Sequence, residues 1–164
     1  MSRTRLSVLM AAAFAINMTG CKTPVHKAEP DAKIGEELTL GTTSFKVEEA
    51  QILESITLDS GLFGGGPSKM TPQDPSQIFF ESKLAITNLS DHPVTIPHQK
   101  IALYGGNGKR YYGFAQKTDP TIEAKATLDL TRTFVMEREA VPGVRFQVQD
   151  LSSEQTGIID LGMK

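Results

Sequence analysis

Tryptophan is absent from the 164 residues, and the chain carries one cysteine, three tyrosines and eight phenylalanines. With a single cysteine no disulfide forms within the chain, so the folded part must hold by its core alone, which its length allows. The missing tryptophan removes the strongest aromatic platform for a sugar, although Tyr104, Tyr111 and Tyr112 remain for stacking. No apolar run approaches the ~20 residues of a membrane-spanning helix. Charge of neither sign dominates: 17 Lys and Arg stand against 19 Asp and Glu, a net charge of −2. That balance argues against a nucleic-acid partner, whose binding rests on clustered positive charge. Catalytic fingerprints are missing as well. There is no Gly-x-Ser-x-Gly nucleophile elbow. Gly108-Lys109 is followed by Arg110, and Leu103 stands where a phosphate loop needs its first glycine. Gly64-Gly65-Gly66 lacks the strand–helix setting of a dinucleotide site.

What is present begins at the N-terminus. Arg3 and Arg5 precede a mostly apolar run of about eleven residues, Leu6 to Ile16, the build of a secretory signal. Met18-Thr19-Gly20 then leads into Cys21. This stretch resembles the bacterial lipobox, which reads Leu, a small residue, Gly or Ala, then Cys; Met18 replaces the usual Leu. The resemblance implies diacylglycerol on the Cys21 thiol, cleavage just before it, and the lipid bilayer as a partner. One acyl chain holds a protein only marginally, whereas two or three on one residue hold it durably. An ordinary cleaved signal with a chance cysteine is the alternative. Lys22 favours the outer membrane in an organism with two. Residues 1–20 are thus a signal, and 21–33, with Pro24, Pro30 and few apolar groups, read as a lipidated cysteine and flexible tether. Once Arg3 and Arg5 leave, 15 basic residues face 19 acidic ones, a balance near −4.

A domain is expected over 34–164. Glu36 to Leu40 reads as a short strand and Ser44 to Ile56 as a long one. Its apolar phase slips near Glu48-Glu49, the mark of a bulge; a helix over 47–56 is the competing reading. From Asp59 to Gln77, four glycines and three prolines exclude a regular element. Ile78 to Asn88 is the strongest strand, with Phe80, Ser82, Leu84 and Ile86 on one face. Asn88 to Pro93 is a turn, although Asn88-Leu89-Ser90 is formally a glycosylation sequon. Val94 to Ile96 and Ile101 to Tyr104 are short strands. Gly105-Gly106-Asn107-Gly108 turns a hairpin whose second arm is Lys109 to Phe114. Ile122 to Ala126 reads as a connection. Leu128 to Phe134 alternates cleanly but places Arg132 on the apolar face, so either that residue is edge-exposed or the phase shifts. Val144 to Val148 and Gly157 to Leu161 close the chain. Seven or eight strands with turn chemistry between them and no helical period predict an all-β, antiparallel sandwich, with a small barrel as the alternative.

The order of these pieces resembles the immunoglobulin-like domains of bacterial lipoproteins and secreted antigens that form a family of unknown function. The resemblance rests on the strand ending in Thr87-Asn88-Leu89-Ser90-Asp91-His92-Pro93-Val94, on the hairpin Gly105 to Tyr111, and on Phe134, Val141-Pro142 and Phe146. It spans about 34–161 and departs in the Gly/Pro insertion and in Gly-Asn-Gly where Asp-Gly is usual. It implies an immunoglobulin-like sandwich in the cell envelope, with no catalytic residue and no cofactor.

Two loop clusters are candidate binding sites, because sandwich loops carry function on a rigid scaffold. One holds Leu62, Phe63 and Met70. The other holds Lys109, Arg110, Tyr111, Tyr112 and Phe114, a pairing of aromatic residues with arginine that is enriched at interface hot spots; core packing of the hairpin is its competing reading. His26, His92 and His98 lack the spacing of a metal site, and a soft copper site with Met70, Met136 or Met163 is only weakly signalled. The expected function is a membrane-anchored module without catalysis that binds another envelope component, a protein. A small-ligand or metal carrier is the alternative.

Overall fold

The computed structural model describes residues 29–58, 67–113 and 119–164. Its strands, in chain order, are β1 (Ala32–Lys33), β2 (Glu37–Leu40), β3 (Thr43–Leu53), β4 (Ile56–Leu58), β5 (Ser68–Met70), β6 (Gln77–Asn88) and β7 (Val94–Thr95). They continue as β8 (Ile101–Tyr104), β9 (Arg110–Tyr111), β10 (Thr121–Ile122), β11 (Thr127–Glu137), β12 (Arg145–Gln149) and β13 (Thr156–Asp160). Two sheets form the body of the molecule, one in the order β11-β6-β3-β2 and one in the order β1-β13-β12-β8-β9, with small ribbons β10-β7 and β4-β5 beside them. The all-β sandwich read from the strand pattern is therefore the fold, and its seven longer strands (β2, β3, β6, β8, β11, β12 and β13) build both layers.

Period-2 alternation explains why these segments are strands and which face each one buries. Phe45 and Val47 of β3, Phe80, Leu84 and Ile86 of β6, and Leu130, Phe134 and Met136 of β11 point into the sandwich. Leu103, Phe146, Val148 and Ile159 meet them from the other sheet. Phe134 and Phe146 touch across the layers with ring centroids 5.8 Å apart and planes tilted by 57°, the geometry aromatic pairs favour. The outer face of β6 carries polar ladders instead: Gln51 Nε2 donates to Glu81 at 2.9 Å and Lys83 pairs with Glu49 at 2.5 Å. The register of β3 against β6 shifts between Val47 and Glu49. The bulge expected at Glu48 is there, and the competing helix is not.

Three boundaries differ from the sequence reading. Ala32 and Lys33, counted with the tether, form β1 parallel to β13, because Ala32 is apolar enough to be buried there and the Asp31 carboxylate accepts the Ile158 amide at 2.8 Å. The Gly/Pro stretch does contain a regular element: Ser68–Met70 pairs with β4. It lies between the glycine and proline clusters, where each residue can still donate an amide. Ile122, read as the start of a connection running to Ala126, belongs with Thr121 to β10, which pairs with β7, and is buried.

The two layers are tied at one end by Asp150. Its carboxylate accepts from the Thr43 hydroxyl at 2.8 Å and from the amides of Thr42 and Ser152 at 3.1 and 3.2 Å. Burial pushes this carboxyl up, but bonds from the Ser153 and Thr43 side chains and the Thr42 and Ser152 amides outweigh it and hold the group below its ordinary value. Asn88 completes the same end. Its amide donates to the carbonyls of His92, Ile122 and Glu123 and its oxygen accepts from Ser90. With every carboxamide atom engaged and the residue 1% exposed, Asn88 serves the turn and offers no glycosylation site. Because β1 runs parallel to β13, the chain enters the sandwich at this Asp150 end. The turn between β8 and β9 lies at the opposite end, where Gly106 donates to Ala140 at 2.8 Å.

That contact leaves no room for a side chain, since a Cβ on Gly106 would sit 1.7 Å from the Pro142 carbonyl oxygen. Gly106→Ala is therefore expected to cost about 3 kcal/mol through forced separation of the backbones. Urea unfolding checks it: a midpoint within error of the parent would contradict the packing.

Candidate functional site

Cys21, Leu62, Phe63 and Phe114 lie outside the described residues. Met70 ends β5 on the outer face of the four-stranded sheet. Met70, Pro72, Phe79 and Val135 line a cleft of about 330 Å³ there, which places Met70 over the otherwise buried Phe79.

The hairpin cluster divides between the inside and the outside of the molecule. Leu103 pairs with Tyr111 and Tyr104 with Arg110, so alternation sends Tyr111 inward and Arg110 outward. Of the described residues of the expected arm only these two pair with β8; Gly113 instead bridges Phe134 on the other sheet. Tyr111 is 5% exposed. Its hydroxyl donates to Glu137 and accepts from Asn107 Nδ2 at 3.2 Å. Lys109 closes the group, with Nζ 2.5 Å from Glu137 Oε1 and 5.4 Å from the Tyr111 ring centre. Bonds from Lys109 and Tyr111, in that order, pull the Glu137 carboxyl down to about 2. Burial, then the bond to Glu137, pushes the Tyr111 phenol up to about 12. The geometry thus gives Tyr111 and Lys109 to the base of the hairpin, where they hold it against β11.

Arg110 and Tyr112 face outward. The Arg110 guanidinium lies 5.2 Å from the Tyr112 ring centre, and its Nη2 donates to the Gln99 carbonyl at 3.1 Å. Tyr112 is 70% exposed. Beside them the outer face of the five-stranded sheet forms a groove of about 250 Å³ over the small side chain of Ala102, walled by Lys100, Tyr104, Gln147 and Gln149. The sequence reading reached Arg110 and Tyr112 but not this groove. Its walls come from β8, β12 and their flanks, joined only by cross-strand register (Ala102 opposite Gln147, Tyr104 opposite Arg145). The glutamines at alternate positions of the Phe146-Val148 pattern were the one available signal.

Arg132 is neither exposed nor out of phase, against both expectations for it. It sits on the inner face of β11, directly opposite Ser82, and is 5% exposed. Among the described residues neither its Nε, its Nη2 nor the Ser82 hydroxyl meets a hydrogen-bond partner. Burial lowers the guanidinium pKa, and the charge of Asp119 acts in the opposite sense. A buried unpaired charge is a net cost. On an edge strand, however, an inward-pointing charge is a known defence against strand addition, and among the described residues β11 is the edge of its sheet, met on its outer side by the single Gly113–Phe134 bridge. No cluster of three or more His, Cys, Asp or Glu among the described residues is placed to hold a metal ion; Met136 is a core residue, and His98 pairs with Asp119 at 3.3 Å.

Two outcomes follow from these geometries. Arg132→Met should raise the stability by about 2 kcal/mol in urea and introduce concentration-dependent self-association in sedimentation; a less stable, strictly monomeric variant would refute the edge-defence reading. Glu137 has a folded pKa below its ordinary 4.5. Its contribution to stability is therefore complete above that value and disappears as the pH falls toward about 2. Glu137→Gln should flatten the stability curve across that acidic window and lower the late phenolate transition near pH 12, and ultraviolet titration of Tyr111→Phe identifies that transition.

No family model and no curated protein matches the sequence. Solved structures do match in shape. The yjhA protein of Bacillus subtilis aligns over 79% of this chain and 99% of its own, with a TM-score of 0.59 at 12% identity. A functionally unknown protein of Listeria monocytogenes aligns over 79% and 82%, with a TM-score of 0.54 at 14% identity. The secreted protein MPT63 of Mycobacterium tuberculosis aligns over 82% and 98%, with a TM-score of 0.50 at 15% identity. At such identities what the chain shares with these bacterial proteins is the fold.

Proposed function

We propose that the protein is an exported, lipid-anchored module of the bacterial cell envelope, immunoglobulin-like in architecture, which binds another envelope protein and catalyses no reaction. The observation that carries this reading is Tyr112, a 70% exposed aromatic ring held by the Arg110 guanidinium on a hairpin fixed at its base. A rigid, amphipathic aromatic beside arginine is the composition of an interface anchor, where ordering costs little and much apolar area is gained. The Arg3–Cys21 stretch supports export and attachment through an acylated Cys21, and the likeness in fold to a secreted bacterial protein agrees with export. The chain enters the sandwich at the Asp150 end. Anchoring there turns the β8–β9 hairpin turn away from the bilayer and leaves the Tyr112 face open to a neighbour.

Photo-crosslinking in living cells tests the proposal, with the probe at Tyr112 and a control probe at the exposed Lys83 on the opposite sheet. A discrete protein adduct at Tyr112 and none at Lys83 is the expected result. Identical patterns at both positions would count against a specific contact. Globomycin treatment or Cys21→Ser should release the protein from membranes; continued sedimentation of the variant with membranes would refute the anchor.

A further inference from the structure

The groove beside Arg110 has a chemistry that a protein contact at Tyr112 does not use. We infer that it is a binding site for an acidic saccharide. The argument starts from its floor. Ala102 is the smallest side chain of β8, and it lies between the longer walls of Tyr104, Gln147 and Lys100. The resulting space is below the ~300 Å³ at which drug-sized pockets begin. It suits one sugar ring, with the adjoining rings lying along the open sheet face.

The walls offer what hydroxyl groups need. A carboxamide presents donors and an acceptor together, and sugar hydroxyls both donate and accept. Within the described residues the Gln99 and Gln147 carboxamides make no hydrogen bond of their own, while that of Gln149 is braced by Ser153 O at 3.3 Å and Glu154 Oε2 at 2.8 Å. Tyr104 supplies a ring at the edge of the same space, and rings stack on the apolar faces of sugars.

The charge decides which saccharide. Lys100 Nζ donates to the carbonyls of Asp150 at 2.7 Å, Leu151 at 3.4 Å and Ser153 at 3.2 Å, which use its three donors and leave its charge, so it acts on an anion through charge and Arg110 through hydrogen bonds. Arg110 donates to the Gln99 carbonyl and stacks on Tyr112, again with no carboxylate, and its Nε is buried without a partner among the described residues. Among the described residues two cations thus line a groove whose walls hold no carboxylate, and Glu154, outside those walls, is engaged with Gln149. A neutral sugar would leave both charges unanswered. A sugar bearing a carboxylate answers them, and a charge-assisted hydrogen bond is about twice as strong as a neutral one.

The inference stands apart from the protein contact proposed at Tyr112, and calorimetric titration of the purified protein separates the two. The probes are trigalacturonate and its neutral counterpart, galactotriose. Trigalacturonate should bind saturably, and galactotriose at least about tenfold more weakly, the loss of one charged hydrogen bond. Gln147→Ala and Arg110→Gln should each weaken trigalacturonate by about tenfold while the thermal unfolding midpoint stays at that of the parent. Tyr112→Ala should leave trigalacturonate affinity unchanged. Equal affinity for the two trimers, no saturable binding of either, or insensitivity to both groove variants would overturn the proposal. Loss of trigalacturonate binding on Tyr112→Ala would overturn it too, by showing one protein-docking face in place of a separate sugar site.

Discussion

Asp150 is the constraint from which the arrangement of the two layers follows. A sandwich without a disulfide has only its core and its ends to keep the sheets in register, and here one end converges on a single buried carboxylate. Thr42 and Thr43 come from the β2–β3 turn of one sheet, and Asp150 and Ser152 from the β12–β13 turn of the other. Gly41 fits against this carboxylate because it has no side chain; a Cβ there would stand 2.9 Å from Asp150 Oδ2. Once these turns meet, Lys100 is drawn onto the same loop through its carbonyls. That contact sets one wall of the groove on the outer face.

The far end is held differently. Gly106 against Pro142 is a backbone contact, and Tyr111 with Glu137 and Lys109 is a charged hydrogen-bond group at the margin of the core. Together they fix the β8–β9 hairpin from beneath and from the side. Arg110 and Tyr112 then project outward from a support held at both places. A surface meant for recognition gains from this arrangement, because little ordering remains to be done on contact.

Local pattern carried much of the fold. The alternation of β6, the slip in phase at Glu48 and the glycine turn after Tyr104 are properties of neighbouring residues, and each appears where the sequence places it. What could not be read depends on residues far apart in the chain. Thr43 and Asp150 are 107 positions apart; nothing near either one announces the other. Ala32 is buried only because β13 returns beside it. Arg132 shows a second kind of limit. Alternation indicates which face a residue is on, and it indicated the inner face correctly, but it is silent on whether that face accepts a charge. For the candidate site, composition pointed to the hairpin yet could not divide it. Tyr111 and Tyr112 are adjacent and chemically alike, and only the pairing of Leu103 with Tyr111 decides that one is core and the other surface.

The parallel pairing of β1 with β13 also bears on mechanics. A force applied to the N-terminus draws β1 along its own axis, across the bonds from the Asp31 amide to Ile158 and from the Ile34 amide to Asp160. Such a pull loads those bonds together in shear and does not open them one at a time. A pull on the leading segment would thus pass through the short first strand into β13, the second strand of the five-stranded sheet.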